Sequence, residues 1–78
     1  MTKYEMILSV YHTHSISVTA EKYNYTQSAI SQAIKSFEKE LVLPLFKRTK
    51  NGMLPISNTE EIILELRTIC DAENRIAD

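Results

Sequence analysis

The chain has 78 residues, 44% of them apolar, with one Gly and two Pro; this suits one small folded domain with a modest core and argues against disorder. The formal net charge of −1 speaks against a uniformly basic nucleic-acid binder, but the charge is divided. Residues 1–57 carry seven cations against four carboxylates, net +3, while residues 58–78 carry two against six, net −4, and local field rather than total charge steers a partner.

Thr2-Lys3-Tyr4-Glu5 has the pattern of a capping box, with Thr2 as N-cap and Glu5 reaching back. Tyr4, Ile7, Leu8 and Tyr11 follow at helical spacing, so the first helix is expected to end near His12. His12-Thr13-His14-Ser15 is a polar break. Its His-x-His pair has no evident third ligand and reads as a solvated turn rather than a metal site. Ser17 is expected to cap a short helix over Val18 to Asn24, with Val18, Thr19 or Ala20, and Tyr23 facing inward.

The next stretch, Thr26 to Leu41, reads as one helix with two unlike faces, capped by Thr26. Ile30, Ala33, Ile34, Phe37 and Leu41 form an apolar stripe. Gln27, Ser28, Ser31, Gln32 and Lys35 lie opposite. A solvated face ordinarily mixes Glu with Lys. A face of amides, hydroxyls and one cation suits base edges and phosphates, since Gln can meet adenine at two points and Lys can reach guanine or phosphate. Short helix, turn and second helix together make a helix-turn-helix.

Leu43-Pro44 ends that helix, because a residue before proline avoids the helical region. Two short apolar runs, Leu45-Phe46 and Met53-Leu54, flank Asn51-Gly52. This predicts a hairpin over 45–56 with both Asn51 and Gly52 at positive φ. Lys47, Arg48 and Lys50 cluster around it, as in a basic wing set against sugar-phosphate or a minor groove.

Ser57-Asn58-Thr59-Glu60 is a second capping-box pattern, opening a helix over Asn58 to Ala77. One apolar row holds Ile62, Leu66, Ile69 and Ile76, with Glu73 interrupting, and a flanking row holds Ile63, Cys70 and Ala77. So small a body cannot bury both rows, so one is expected on the domain and the other on a second copy. Ile62, Ile63, Leu66, Ile69, Cys70 and Ile76 are therefore the candidate dimerisation residues. The lone Cys70 reads as a packing residue.

The architecture expected is mainly α: a winged helix-turn-helix of three helices and a two-stranded wing over residues 1–57, then a linker helix over 58–78. Three runs carry a family resemblance: Ser15 to Tyr23, Thr26 to Glu38 and Leu45-Phe46-Lys47-Arg48. Together they resemble the N-terminal DNA-binding domain of LysR-type transcriptional regulators, over nearly the whole chain. The resemblance implies a bacterial regulator that binds double-stranded DNA at inverted repeats, as a homodimer joined through the linker helices. It also implies an effector-binding domain absent from this chain, and the full-length regulator could contact RNA polymerase. By position, Thr26, Gln27, Ser28, Ser31, Gln32 and Lys35 would lie in or beside the major groove, and Arg48 and Lys50 at the wing.

Several positions depart from the family pattern. Gln32 stands where Arg is frequent, Thr19 replaces the first of an Ala pair, Phe37 replaces Leu, and Pro55-Ile56 replaces Leu-Thr. Val42 stands where Gly commonly ends the recognition helix, so the helix is expected to end differently there. With no apolar run long enough to cross a bilayer and no signal-peptide pattern, the chain reads as cytoplasmic and not membrane-bound. No nucleophile–base pair, metal set or Gly-rich phosphate loop points to an enzyme, and no cofactor is implied. The alternative reading is a winged-helix module that binds another protein, with the acidic last helix as its contact.

Overall fold

The computed structural model describes residues 2–56 and 58–77 and has the element order α1 (Lys3–Thr13), α2 (Ile16–Tyr23), α3 (Gln27–Leu41), β1 (Phe46–Thr49), β2 (Gly52–Pro55) and α4 (Thr59–Ala77). The Thr2 hydroxyl caps α1 by accepting from the Glu5 amide at 3.4 Å. The Thr26 hydroxyl caps α3 by accepting from Ala29 N–H at 3.0 Å. The expected cap at Ser57 lies outside the described residues. There the first turn of α4 is anchored by Thr59, whose buried hydroxyl donates to the Leu45 carbonyl at 2.7 Å.

The core lies where α1, α2 and α3 meet the start of the hairpin and one face of α4. Ile7, Val10, Ile16, Ala20, Ile30, Ile34, Phe37, Leu45, Phe46, Ile63 and Leu66 are all buried there. Of the α3 stripe read from the sequence, Ile30, Ile34 and Phe37 are buried and Ala33 and Leu41 partly so, and this turns the amide-rich face outward. Thr19, in place of a smaller residue, is fully buried. Its hydroxyl meets that of Ser9 at 2.9 Å, so neither is left without a partner.

Four expectations are corrected. First, α2 begins at Ile16 rather than Val18, and its cap is Ser15, which accepts from Val18 N–H at 3.0 Å. Ile16 is the apolar anchor of its first turn, and Val18, expected inside, is 48% exposed.

Second, the hairpin turn is Lys50-Asn51, not Asn51-Gly52. Thr49 pairs with Gly52, and Arg48 with Met53. Lys50 and Asn51 keep negative φ, while Gly52 takes φ 101°. Two ordinary turn residues followed by a glycine at positive φ is the pattern of a type I turn with a trailing glycine. The Thr49 hydroxyl braces it, accepting from Asn51 N–H at 3.1 Å and donating to the Gly52 carbonyl at 2.9 Å.

Third, α3 ends on a left-handed Val42 after all, with φ 57° and ψ 35°. The amides of Val42 and Leu43 return to the Lys39 and Glu38 carbonyls, each at 3.2 Å. This is a Schellman closure, and it satisfies carbonyls that the helix end would otherwise leave open. The strain of a β-branched residue in this conformation, on the order of 1–2 kcal/mol, is outweighed by the closure and by the sharp exit needed ahead of Pro44. Val42 is 87% exposed, so its side chain contributes little packing. Val42→Gly is expected to stabilise the fold by about 1 kcal/mol, read as a higher urea midpoint with unchanged slope. A lower midpoint would mean that the valine packs in a way its exposure does not show.

Fourth, the two apolar rows of α4 are sorted differently. Ile63, Leu66 and Cys70 are buried within this chain, so three of the candidate dimerisation residues already face its own body. Ile62 is half-buried and packs at the core's edge. Ile69 is 38% exposed and Ile76 86%. Burial first, then the carboxylates of Glu5, Glu73 and Asp71, push the Cys70 thiol up from its ordinary value. That keeps it protonated and suits a packing role. Among the described residues no helix is long and apolar enough to cross a membrane.

Candidate nucleic-acid interface

The α3 face opposite the core presents Gln27, Ser28, Gln32 and Lys35 exposed and Ser31 partly so. Thr26 is exposed too, but its hydroxyl oxygen already accepts from Ala29 N–H. It therefore orients the first turn before it could touch anything else. Ala29, which sequence reasoning passed over, is also exposed on this turn. Only its place among polar neighbours could have signalled it.

The wing is set beside this face by three links. At its base the Glu38 carboxylate accepts from the amides of Leu45 and Phe46, at 2.6 and 3.3 Å. At its side Met53 N–H donates to the His14 carbonyl at 2.8 Å. At the same place the His14 Nδ1 lies 3.3 Å from the Met53 carbonyl. The stretch read as a merely solvated turn thus docks the wing: His14 closes α1 in the left-handed conformation, φ 59°, and offers its backbone to β2.

This docking brings two of the predicted groups together. Gln27 and Arg48 line one cleft, of about 280 Å³, between the starts of α2 and α3 and the hairpin. Ser31, Lys35 and Arg48 line a neighbouring hollow between α3 and β1. Arg48 is therefore the hinge-point of the surface, shared by both depressions. Ser28 and Gln32 lie on the open helix face and Lys50 at the hairpin turn, and none of these three lines either depression. Among the described residues the sole ion pair is Lys3–Glu40 at 3.1 Å, so Lys35, Arg48 and Lys50 are in no ion pair, although the Glu38 carboxylate lines the same hollow as Lys35 and Arg48. His14, Ser17 and Thr49 also line the first cleft. Sequence reasoning missed them because they meet there only through the wing's docking. The two histidines are not joined to any third ligand: no group of three His, Cys, Asp or Glu residues that could hold a metal occurs among the described residues. His12 Nε2 instead accepts from the Arg67 guanidinium at 3.0 Å.

Exposed amides, hydroxyls and unpaired cations on one helix, flanked by a basic hairpin, can hydrogen-bond base edges and neutralise phosphates. Comparison with known proteins agrees with this geometry. Residues 1–61 match the family described as bacterial regulatory helix-turn-helix protein, lysR family. The chain is 35% identical over 75 residues to the HTH-type transcriptional regulator MetR of Haemophilus influenzae, covering 91% of this chain and 24% of that protein. It is 34% identical over 65 residues to CzcR of Bacillus cereus, covering 83% of this chain and 23% of that one. It thus spans about a quarter of the length of these relatives. Among solved structures, the CbnR DBD–DNA complex superposes with a TM-score of 0.90 at 17% identity, over 97% of this chain and 87% of that one. Full-length OxyR from Pseudomonas aeruginosa superposes at 0.85 and 23% identity, over 99% of this chain and 27% of that one.

Proposed function

The chain belongs to the LysR family of bacterial regulatory helix-turn-helix proteins, and on that premise we propose that it reads double-stranded DNA by sequence, as a homodimer on an inverted repeat. It is a helix-turn-helix domain of a regulatory family rather than an enzyme. In this reading α3 enters the major groove and the wing lies along the backbone or an adjacent minor groove. Gln27 and Gln32 read base edges, Ser28 and Ser31 allow close approach, and Lys35, Arg48 and Lys50 neutralise phosphate. The observation that carries it is the α3 face: amides, hydroxyls and a cation outside any ion pair stand exposed beside a wing that shares Arg48 with it.

The second copy would pack against the part of α4 that this chain leaves open. Ile62, Ile69 and Ile76 recur every seven residues, with Ala72 between the last two, and a seven-residue repeat is the seam of a helix pair. The rest of the regulator, including an effector-binding domain and any contact with RNA polymerase, would be supplied outside this chain, in the cytoplasm.

Fluorescence anisotropy against a selected inverted repeat and a random duplex, at several salt concentrations, tests the reading. With roughly three phosphate-neutralising cations per chain, a dimer should show a log–log salt slope on the order of −5. Gln27→Ala should erase much of the preference for the selected duplex, each bidentate base contact being worth about 1–3 kcal/mol. Arg48→Ala should weaken both duplexes alike. A slope near zero, or equal losses on both duplexes for Gln27→Ala, would sink these assignments. No binding at low salt by a proven dimer would move the reading to a protein partner.

A further inference from the structure

Three hydroxyls that take no part in the proposed DNA contacts meet under the α1–α2 turn. Ser9 and Thr19 are buried, with their oxygens 2.9 Å apart. Thr13 Oγ1 lies 3.5 Å from the Thr19 oxygen and donates to the Ser9 carbonyl at 2.8 Å. A threonine that bonds back to the preceding helical turn is common and by itself says little. What sets Thr13 apart is the bond it accepts, from Ser15 N–H at 3.2 Å. Ser15 is the cap of α2, so this N–H has no place in either helix's ladder. It belongs to the same peptide group as the His14 carbonyl, which accepts from Met53 N–H at 2.8 Å. The N–H and C=O of a trans peptide point in opposite directions. Thr13 therefore holds one end of the peptide plane whose other end docks the wing. One arrangement of protons serves all three hydroxyls: Ser9 donates to Thr19, Thr19 to Thr13, and Thr13 to the Ser9 carbonyl.

We infer that Thr13 is a positioning residue for the wing. Its hydroxyl, held in turn by Ser9 and Thr19, orients the His14–Ser15 peptide so that the His14 carbonyl meets Met53 N–H, and this keeps Arg48 in one cleft with Gln27. Thr13 lines neither depression of the α3–wing surface, so it acts through His14 and not by touching DNA. Hydrogen bonds in series polarise one another, and an N–H bonded to Thr13 makes the carbonyl of the same peptide a better acceptor. The consequence for binding rests on the DNA reading, through the hold of Arg48 on phosphate; the effect on the wing's dock does not.

The test joins amide hydrogen exchange of the free chain to anisotropy with a random duplex at low salt, on Thr13→Val, Thr13→Ala and Thr13→Ser. Valine keeps the shape without the hydroxyl, and alanine removes it while favouring the helix, so either one decides should the other fail to fold. In both, Met53 N–H should exchange about tenfold faster, the worth of about one hydrogen bond. The Ile30 and Ile34 amides, in the core of α3, should change far less. Affinity for the duplex should fall about threefold, part of that same bond's worth. In an Arg48→Ala background the substitutions should cost nothing further, as expected of residues that act as one unit. Thr13→Ser keeps the hydroxyl and should restore both exchange and affinity. Met53 exchange that is unchanged without the hydroxyl, a binding loss undiminished in the Arg48→Ala background, or a serine variant no better than valine would overturn the positioning role and leave the DNA reading intact. No binding by the unaltered chain would reject the DNA reading and, with it, the role of Thr13 in binding.

Discussion

Gly52→Ala is expected to lower stability by about 3 kcal/mol or more and to weaken binding to every duplex tested. Two costs coincide at this position. The backbone sits at φ 101°, where an L side chain is strained by on the order of 1–2 kcal/mol. An added Cβ would also run into the His14 carbonyl oxygen, a backbone atom that cannot swing aside. That same carbonyl accepts from Met53 N–H, so relieving the collision means breaking the link that docks the wing. A 78-residue domain has little stability in reserve, and loss of the dock would also disperse Arg48 from Gln27. Urea denaturation and anisotropy on the same variant should show both effects. Full stability with normal binding would mean that the wing is held without the Met53–His14 backbone hydrogen bond.

Glu38→Ala should cost about 2 kcal/mol, the range for hydrogen bonds to a charged acceptor. Its carboxylate spans the Pro44 corner and receives two amides, those of Leu45 and Phe46, whose own side chains are buried. Removing it strands those donors at the point where the wing leaves the core. Glu38→Gln keeps an acceptor and should lose less than half as much. If alanine and glutamine cost the same, charge rather than the acceptor geometry would be what matters at this position. Because Glu38 borders the hollow shared by Ser31, Lys35 and Arg48, the alanine variant should also bind all duplexes more weakly. Its preference between selected and random DNA should change little, since Gln27 lies at the other end of the helix.

These two residues mark the boundary between what the chain declares locally and what it does not. Periodicity and capping chemistry act over three or four residues. From them alone followed the mainly α order, the Thr2 and Thr26 caps, the apolar stripe Ile30-Ala33-Ile34-Phe37-Leu41, of which Ile30, Ile34 and Phe37 are buried, and the polar face behind it. The existence of a basic hairpin over 45–56 was legible for the same reason. Its turn was displaced by one residue, because Asn-Gly is compatible both with two central residues at positive φ and with a glycine trailing an ordinary turn. Only the pairing of Thr49 with Gly52, set by how β2 docks on His14, selects the second.

Tertiary contacts decided the remaining points. α2 starts at Ile16, capped by Ser15, because burying Ile16 brings the cap two residues earlier. Val42 accepts a left-handed backbone because the Schellman closure and the turn into Pro44 outweigh its strain. The two apolar rows of α4 look alike in one dimension; α1 packs against the helix, and Ile63, Leu66 and Cys70 are buried while Ile69 and Ile76 stay exposed. The cleft joining His14, Ser17, Gln27 and Arg48 draws on positions up to 34 residues apart. Local sequence determined which surfaces would be polar and which buried. Which polar groups would share one site was settled by long-range backbone hydrogen bonds, whose partners no short-range pattern can encode.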